Sequence, residues 1–313
     1  MKKVRSLIIA AALFAAANVH ALVQQEKFTT DPLSRDWQIY GDTNLFQWNT
    51  NNLNMDVTWD SSQTNSYFYR PLPATYTKAD SFCVVFDLTI NDVDAIGYFQ
   101  MAVGLCKFSD ATSTNFSRST GYSPNLFEFD YYPDGPFAYG PSIDGTLVDA
   151  NDSFYFAFDD TQTMPTNVTY HIVLLHPAGS SSISGTVFVN NQVFTTFPKI
   201  DPYGADDFQV DTIAIFNYTT LDDPYGDSLL AHGTVDNLTF ASPIPIDTIR
   251  QLGTAKVQFN ATTNWIYTYQ RTSDFQHWTN IMSITNCTAA SLMMQDTNTP
   301  GTNAFYRVTT DLP

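Results

Sequence analysis

The sequence predicts an all-β protein, a β-sandwich of many strands, and three observations support this fold class. Runs of about four to eight residues rich in Val, Ile, Phe, Tyr and Thr recur along the chain, bounded by Asn, Asp, Gly or Pro. No long segment combines a helical period with helix caps. Aromatic residues make up 15% of the chain, which suits the faces of packed sheets. We therefore expect sheets packed face to face around an aromatic core.

Most of these runs lie before residue 243. One pair of runs flanks Asn190-Asn191, a sequence that favours a hairpin turn. The predicted strands are Leu45–Trp48, Leu53–Trp59, Ser66–Tyr69, Phe82–Ile90, Ile96–Phe108, Leu126–Tyr132, Phe154–Phe158, Asn167–His176, Gly185–Phe197 (a hairpin), Phe208–Tyr218 and Gly233–Phe240.

Residues 243–247 are predicted to be a linker, because two prolines in four residues favour an extended spacer. We expect one domain over residues 22–242 and a small C-terminal β-domain over residues 248–313. The second unit is long enough to bury a small core of its own. Its predicted strands are Ala255–Asn260, Trp265–Arg271, Trp278–Ile284 and Ala304–Thr309.

The N-terminal segment, residues 1–21, has the pattern of a secretory signal peptide. Three basic residues lie before position 6, an apolar stretch follows over residues 7–17, and residues 19–21 (Val-His-Ala) fit a small-x-small cleavage site. The apolar stretch is too short to span a membrane, and no later stretch approaches that length. We therefore expect an exported protein that is secreted, at the cell surface or periplasmic.

The chain is strongly acidic, with 31 Asp and Glu against 14 Lys and Arg and a formal net charge of −17. Removing the three signal-peptide cations leaves 11 basic residues, which gives a net charge of −20. Nucleic acid and anionic membranes attract basic surfaces, so neither is an expected partner. The only glutamates are Glu26 and Glu128, and Glu26 is close to the predicted cleavage point, where chains fray. We therefore expect Glu128 to be the only glutamate well inside the fold.

The most informative stretch is Leu126–Tyr132, which alternates along one predicted strand. Its odd-numbered residues are all aromatic, share one face and are predicted to join the core. Glu128, Asp130 and Tyr132 share the other face, and the two carboxylates are about 6 to 7 Å apart along the strand. Carboxylates side by side on a sheet face can bind sugar hydroxyls, bind a cation or cleave a glycosidic bond. They can also be solvated residues without a role.

The chain contains three cysteines, Cys83, Cys106 and Cys287, and an exported protein meets an oxidising compartment. Cys83 opens one predicted strand and Cys106 closes the next. A turn at residues 91–94 would bring them within the range of a disulfide. Two buried, unpaired thiols are the alternative. Cys287 has no evident partner.

The sequence Asp-Pro-Tyr-Gly occurs twice, at residues 201–204 and 223–226, each time in an acidic loop. Pro in second place and Gly in fourth place suit a type I turn. Calcium takes several oxygen ligands, which makes these loops weak candidates for a structural calcium site. Ordinary turns are the alternative, since Asp, Pro and Gly are common turn residues. The candidate ligands are Asp206, Asp207, Asp222, Asp223 and Asp227.

Three features of residues 25–241 carry a resemblance to a known superfamily: the many strands, Glu128-Phe129-Asp130 in mid-domain, and the closing strand Gly233–Phe240. The region resembles the concanavalin A-like lectin and glucanase superfamily. That resemblance implies a jelly-roll sandwich whose concave sheet holds carbohydrate. In its laminarinase-type glucanases one strand carries Glu-x-Asp-x-Glu, in which the first Glu is the nucleophile, the Asp supports it and the second Glu is the acid/base.

The chain matches that motif only in part, because Tyr132 stands where the second glutamate would be. Retaining hydrolysis needs two carboxyl groups about 5 Å apart, and a phenol with a reference pKa of about 10 is a poor acid in that place. We therefore expect a lectin-like protein that binds a glycan without cleaving it, through Glu128, Asp130, Tyr132 and Tyr139. Two alternatives are a retaining glycoside hydrolase with Glu128 as nucleophile and Asp130 beside it, and a structural surface protein without a ligand.

The C-terminal unit carries a second resemblance, through residues 267–279 and the closing residues 304–308 (Ala-Phe-Tyr-Arg-Val). These segments resemble a small β-domain at the ends of many exported bacterial proteins, particularly those of Verrucomicrobia-like bacteria. The resemblance implies export of the chain and no chemistry of its own.

Overall fold

The computed structural model describes residues 22–135, 140–155, 162–180, 183–200, 207–242, 250–251, 255–260, 266–273, 277–285, 291–298 and 304–311. The predicted signal peptide and the predicted linker lie outside these ranges. Strands dominate the described residues, with one short α-helix and two 3-10 turns, so the predicted all-β class is confirmed. Within the described ranges, none of the helical segments has the length and apolarity needed to cross a membrane.

Fifteen strands precede residue 243, and a single helical turn, α1 (Phe108–Ala111), lies between the seventh and the eighth. They are β1 (Leu22–Glu26), β2 (Gln38–Tyr40), β3 (Phe46–Asn49), β4 (Asn54–Asp60), β5 (Ser66–Thr77), β6 (Phe82–Ile96), β7 (Met101–Cys106), β8 (Leu126–Tyr132), β9 (Ser142–Val148), β10 (Phe154–Tyr155), β11 (Thr169–His176), β12 (Ile183–Val189), β13 (Gln192–Ile200), β14 (Gln209–Asn217) and β15 (Ser228–Ser242).

These strands form two antiparallel sheets that pack as a sandwich. The eight-stranded sheet has the order β13-β12-β11-β6-β15-β4-β3, and β1 also pairs with β15. The seven-stranded sheet has the order β10-β9-β8-β7-β14-β5-β2. The rings of Phe86 on β6 and Phe129 on β8 meet edge-to-face at 5.7 Å, which places the core between the two sheets.

Residue alternation explains how single strands build this sandwich. Along β4 the residues Met55, Val57 and Trp59 are buried, while the residues between them are half-buried on the outer face. The predicted hairpin at Asn190-Asn191 joins β12 to β13, and both residues adopt positive φ angles, as two-residue hairpin turns require.

The predicted turn at residues 91–94 is wrong, because β6 continues through it to Ile96. As a result Cys83 and Cys106 do not belong to one hairpin. Cys83 lies on β6 of the eight-stranded sheet, and Cys106 lies on β7 of the seven-stranded sheet. Sheets packed face to face are about 10 Å apart, which exceeds the usual disulfide span.

Both cysteines are free and buried, so the predicted disulfide is wrong in this structure. Cys106 lies in the main core, whereas Cys83 and Ala241 pack with apolar residues of the C-terminal sheets. Burial raises the pKa of the Cys83 thiol to about 12. Cys287 lies outside the described residues.

Glu26 also differs from expectation, because it is buried at the end of β1. Its carboxylate accepts a 2.6 Å hydrogen bond from Arg35 Nη2 and a bond from the Phe28 amide. Pairing of β1 with β15 holds this end of the chain in the sheet. Glu128 is therefore not the only glutamate inside the fold.

Beyond residue 249 the described residues form six short strands: β16 (Arg250–Gln251), β17 (Lys256–Asn260), β18 (Ile266–Thr272), β19 (Thr279–Ile284), β20 (Ser291–Gln295) and β21 (Phe305–Asp311). They make two three-stranded sheets, β16-β17-β20 and β19-β18-β21. Tyr267, Tyr269 and Met294 are among the residues buried between them.

Candidate functional site

Strand β8 divides its side chains between two environments, as its alternation predicts. Phe127, Phe129 and Tyr131 belong to the core between the two sheets. Glu128 and Asp130 therefore point to the opposite side of the seven-stranded sheet.

Register across the sheet gathers further polar groups on that side. Asp130 stands opposite Asp144 of β9, and Glu128 stands opposite Thr146 of the same strand. Directly paired residues share a face, so three carboxylates lie together on one side of the sheet. We call this surface, defined by Glu128, Asp130 and Asp144, the carboxylate face.

Residues 107–125, between β7 and β8, cover the carboxylate face, and we call them the covering segment. Phe108 stacks on Tyr69 of β5 at a centroid distance of 4.2 Å. The carbonyl of Ala111 accepts a 2.9 Å hydrogen bond from Tyr67 Oη. The far end of the segment closes on itself through a two-residue bridge between Ser117 and Tyr122.

Arg118 of the covering segment inserts between the carboxylates. Its Nη2 lies 2.7 Å from Glu128 Oε1 and 2.9 Å from Asp130 Oδ2, and its side chain is 1% exposed. Gln100 accepts from Arg118 Nε at 3.1 Å, and the guanidinium lies 5.5 Å from the ring centroid of Tyr218. One guanidinium therefore contacts two carboxylates at once and fixes the segment over the sheet.

Hydroxyl groups supply further donors to the pair. Tyr218 Oη donates to Glu128 Oε2 at 2.7 Å, and Thr146 Oγ1 donates to Asp130 Oδ2 at 2.5 Å. Tyr132 Oη also reaches Asp130 Oδ2, at 3.3 Å. Asp130 Oδ1 accepts no hydrogen bond from any described residue although it is buried. Asp130 Oδ2 therefore accepts three hydrogen bonds, whereas Asp130 Oδ1 accepts none from the described residues.

Burial dominates the electrostatics of this cluster. It raises the pKa of Glu128 to about 8, and the neighbouring Asp130 adds to the rise while Arg118 opposes it. Burial likewise raises the pKa of Asp130, against the lowering influence of Arg118 and Thr146. The two neighbouring carboxyl groups are therefore coupled, and burial favours the protonated form of each more than water does.

The structure brings together three of the four predicted glycan-binding residues: Glu128, Asp130 and Tyr132. It does not leave them open, however, because Glu128 and Asp130 are 0% exposed and Tyr132 is buried against Tyr98. The closed arrangement therefore buries the carboxylates that the sequence predicts to bind a glycan. Tyr139 lies outside the described residues.

Sequence reasoning missed Arg118 and Asp144. Arg118 is one of only seven basic residues between positions 22 and 242, and that scarcity was the available signal. Asp144 lies in a short alternating run over residues 142–148, and that run was not predicted as a strand. Asp144 lies beside Asp130 because of the register between β8 and β9, and Arg118 reaches β8 because of the path of the covering segment.

The candidate calcium ligands serve as hydrogen-bond acceptors in loops. Asp207 accepts from the Lys78 amide at 2.9 Å, and Asp223 accepts from the Asp227 amide at 2.7 Å. Asp222 accepts from Ser119 Oγ at 2.9 Å, and Asp206 lies outside the described residues. Across the described ranges, no three His, Cys, Asp or Glu residues are grouped closely enough to hold a metal ion.

No family model and no curated protein sequence matches this chain. Among solved structures, peanut lectin in complex with a nonapeptide is similar over 72% of this chain and 99% of its own, with 11% identity and a TM-score of 0.46. A legume lectin-like domain from Entamoeba histolytica is similar over 69% and 95%, with 12% identity and a TM-score of 0.42. An alginate lyase mutant bound to alginate trisaccharide is similar over 66% and 88%, with 9% identity and a TM-score of 0.37.

Proposed function

We propose that this protein is an exported, lectin-like carbohydrate-binding protein that binds a glycan at the carboxylate face without cleaving it. The observation that carries the proposal is the buried pair Glu128 and Asp130 around Arg118, with Asp144 opposite Asp130 on the same side of the sheet. The predicted signal peptide supports export.

A purely structural role explains this cluster poorly. A buried ion pair rarely stabilises a fold better than apolar side chains of similar volume, because desolvation offsets the attraction. Here one guanidinium contacts two carboxylates, and Asp130 Oδ1 lacks a donor among the described residues. Buried charged groups whose hydrogen bonds are not all satisfied are characteristic of functional sites.

The chemistry of the carboxylate face suits a sugar. An ionised carboxylate accepts hydrogen bonds, a protonated one also donates a hydrogen bond, and each glycan hydroxyl can do both. Tyr69 and Tyr218 lie on the same side, and movement of the covering segment would free the ring of Tyr69 from Phe108 for stacking on a sugar. Arg118 occupies this surface in the closed arrangement, so a ligand that enters must displace it.

Access therefore requires the covering segment to move. Its tip is tied to a neighbouring loop by the hydrogen bond from Ser119 Oγ to Asp222 Oδ1 at 2.9 Å. Tyr122 at the tip is about half exposed, and Tyr225 of the neighbouring loop is 84% exposed. These two rings are available at the rim to make the first contact with a glycan.

A retaining glycoside hydrolase is the second candidate, and one observation favours it. Glu128 and Asp130 both contact one nitrogen of Arg118, so their carboxyl groups lie close together. The pKa of Glu128, raised to about 8, would let one member of the pair carry a proton at neutral pH. One observation opposes it. Arg118 contacts Glu128 Oε1 and Tyr218 donates to Glu128 Oε2, so neither carboxylate oxygen is free to attack a sugar in the closed arrangement.

A glycan array screened with the mature protein tests the proposal, and a reducing-sugar assay on each glycan that binds tests for cleavage. We expect binding without hydrolysis, and Glu128→Gln should weaken binding by about 1 to 3 kcal/mol if its hydrogen bonds are lost. Asp94→Asn is a matched control, since it removes an exposed carboxylate of β6. Hydrolysis that Glu128→Gln abolishes would favour the hydrolase, and no binding on the array would favour a structural role.

A reversible lock tests the required movement directly. Replacing Ser119 and Asp222 by cysteine puts two thiols where a hydrogen bond now joins the side chains. Oxidation should hold the covering segment closed and abolish glycan binding, and reductant should restore it. Binding that is the same in both redox states would show that the ligand does not enter beneath the segment.

A further inference from the structure

The outer face of the eight-stranded sheet carries a second polar site, and this one is open. A groove of about 580 Å³ lies where the β3–β4 hairpin borders β15 and β6. That volume is within the range of small-molecule binding sites. Amides and hydroxyls dominate the lining, which includes Gln47, Asn49, Asn54, Thr58, Asn91 and Thr234.

Sheet register arranges part of this lining in a row. Gln47 stands opposite Asp56, Asp56 stands opposite Thr234, and Thr234 stands opposite Thr89. The four residues lie on four adjacent strands, β3, β4, β15 and β6, which are spaced about 4.8 Å apart. The row therefore crosses the strands and presents one polar side chain at each step.

Several of these groups are available for a ligand. The side chains of Thr58, Asn91 and Thr234 make no hydrogen bond to any residue that the structure describes. Each hydroxyl and amide can both donate and accept, which matches a partner rich in hydroxyl groups.

The charges around the groove decide which polyhydroxylated ligand fits. Asp56 lies in the row, and Asp92 of β6, which pairs with His232 of β15, shares a 2.7 Å hydrogen bond with His232 Nδ1. Neither a Lys nor an Arg lines the groove within the described ranges, and the chain carries a formal net charge of −17. An anionic glycan would be repelled here, so the groove favours a neutral one.

We infer that this groove binds an extended neutral polysaccharide that runs across the strands. The spacing between adjacent strands is close to the length of one sugar residue in an extended chain, so each strand can contact one sugar residue. None of the described lining residues is Phe, Tyr or Trp, so binding depends mainly on hydrogen bonds and is weak for each short segment. The site is separate from the carboxylate face, which belongs to the other sheet, and it does not depend on the function proposed for that face.

Titration calorimetry with neutral hexasaccharides of glucose and mannose tests this inference, with an oligogalacturonate as the anionic comparison. The protein used is the oxidised Ser119→Cys/Asp222→Cys form, in which the carboxylate face is held closed. We expect it to bind at least one neutral hexasaccharide and not the oligogalacturonate. The double variant Thr58→Val/Thr234→Val, made in the same background, keeps side-chain shape and strand propensity and should lower the affinity at least tenfold.

Asn51→Ala is the matched control, since Asn51 lies in the same hairpin turn but does not line the groove. Circular dichroism and the melting temperature show whether each variant is folded. Absence of binding to every neutral hexasaccharide by the locked protein would overturn the inference, as would an unchanged affinity in the threonine variant. Neither result bears on glycan binding at the carboxylate face, which the glycan array and the cysteine lock test separately.

Discussion

Arg118 Nη2 lies 2.7 Å from Glu128 Oε1, and this contact joins the covering segment to the strand that it covers. The same nitrogen reaches Asp130, so one side chain contacts both carboxylates and also excludes water from them. The most polar surface of the seven-stranded sheet is therefore buried by a loop and not by the core.

Replacing Arg118 by Met should lower the free energy of unfolding by about 3–5 kcal/mol, because it leaves buried carboxylates without their cation. Chemical denaturation at pH 7 measures the effect. The loss should be smaller in acid, where the carboxyl groups can take up protons. Arg70→Met is the control, since Arg70 meets the exposed Asp36 at 3.4 Å and such pairs contribute about 0–1 kcal/mol. Equal effects of the two substitutions would contradict a central role for Arg118.

Glu128 should make stability depend on pH in a direction opposite to that of most carboxylates. Its pKa is raised from 4.5 to about 8 in the folded protein, so between these values the folded state binds more protons than the unfolded state. The free energy of unfolding should therefore fall as pH rises through this window, and the contribution of Glu128 is fully present only below it.

The measurement for Glu128 is a series of denaturation curves from pH 4 to pH 9 on the wild type and on Glu128→Gln. The variant cannot titrate at this position, so wild type should lose stability relative to it as pH rises, by an amount on the order of a few kcal/mol. A constant difference between the two proteins over the whole series would show that Glu128 does not hold a proton in the fold.

Gly104→Ala should destabilise the sandwich, because a Cβ at this position would come within 2.5 Å of the Glu128 backbone on β8. The strand cannot yield without disturbing its pairing, and overpacking of this kind costs about 1–3 kcal/mol or more. Ala214→Gly is the control, since Ala214 pairs with Gly104 from β14 and the change only removes a methyl group. Thermal unfolding should rank Gly104→Ala as the less stable variant, and the opposite rank would contradict the close approach of β7 and β8.

The two described cysteines should behave as protected thiols. In a Cys287→Ser background, Ellman's reagent should label Cys83 and Cys106 slowly in the native protein and label both in denaturant, because both are buried. Reductant should leave the melting temperature unchanged. Counting no free thiols after unfolding without reductant would instead reveal a disulfide.

Some elements follow from local sequence with little ambiguity. The alternation of Leu126–Tyr132 predicted the core face of β8, because a period of two places successive side chains on opposite sides. The Asn190-Asn191 turn was predictable since asparagine tolerates the positive φ that such turns need.

Other elements were predicted wrongly for identifiable reasons. Asp and Asn at residues 91–94 suggested a turn, but pairing with β15 keeps β6 extended through them. Asp92 Oδ1 forms a 2.7 Å hydrogen bond with His232 Nδ1 of the neighbouring strand, and no local sequence pattern predicts this contact. Tertiary pairing therefore overrode turn propensity at this point, and the predicted disulfide failed with it.

By itself the sequence determined the fold class, the strand faces and the gathering of Glu128 and Asp130 on one side of β8, because these follow from the two-residue period of a strand. Only the tertiary structure decided that this side is covered, since Arg118 reaches it from a separate loop and Asp144 reaches it through the register of a neighbouring strand. Burial then turns two ordinary carboxylates into a coupled pair with raised pKa values. Desolvation depends on every residue that excludes water from a site, and those residues are brought together only by the completed fold.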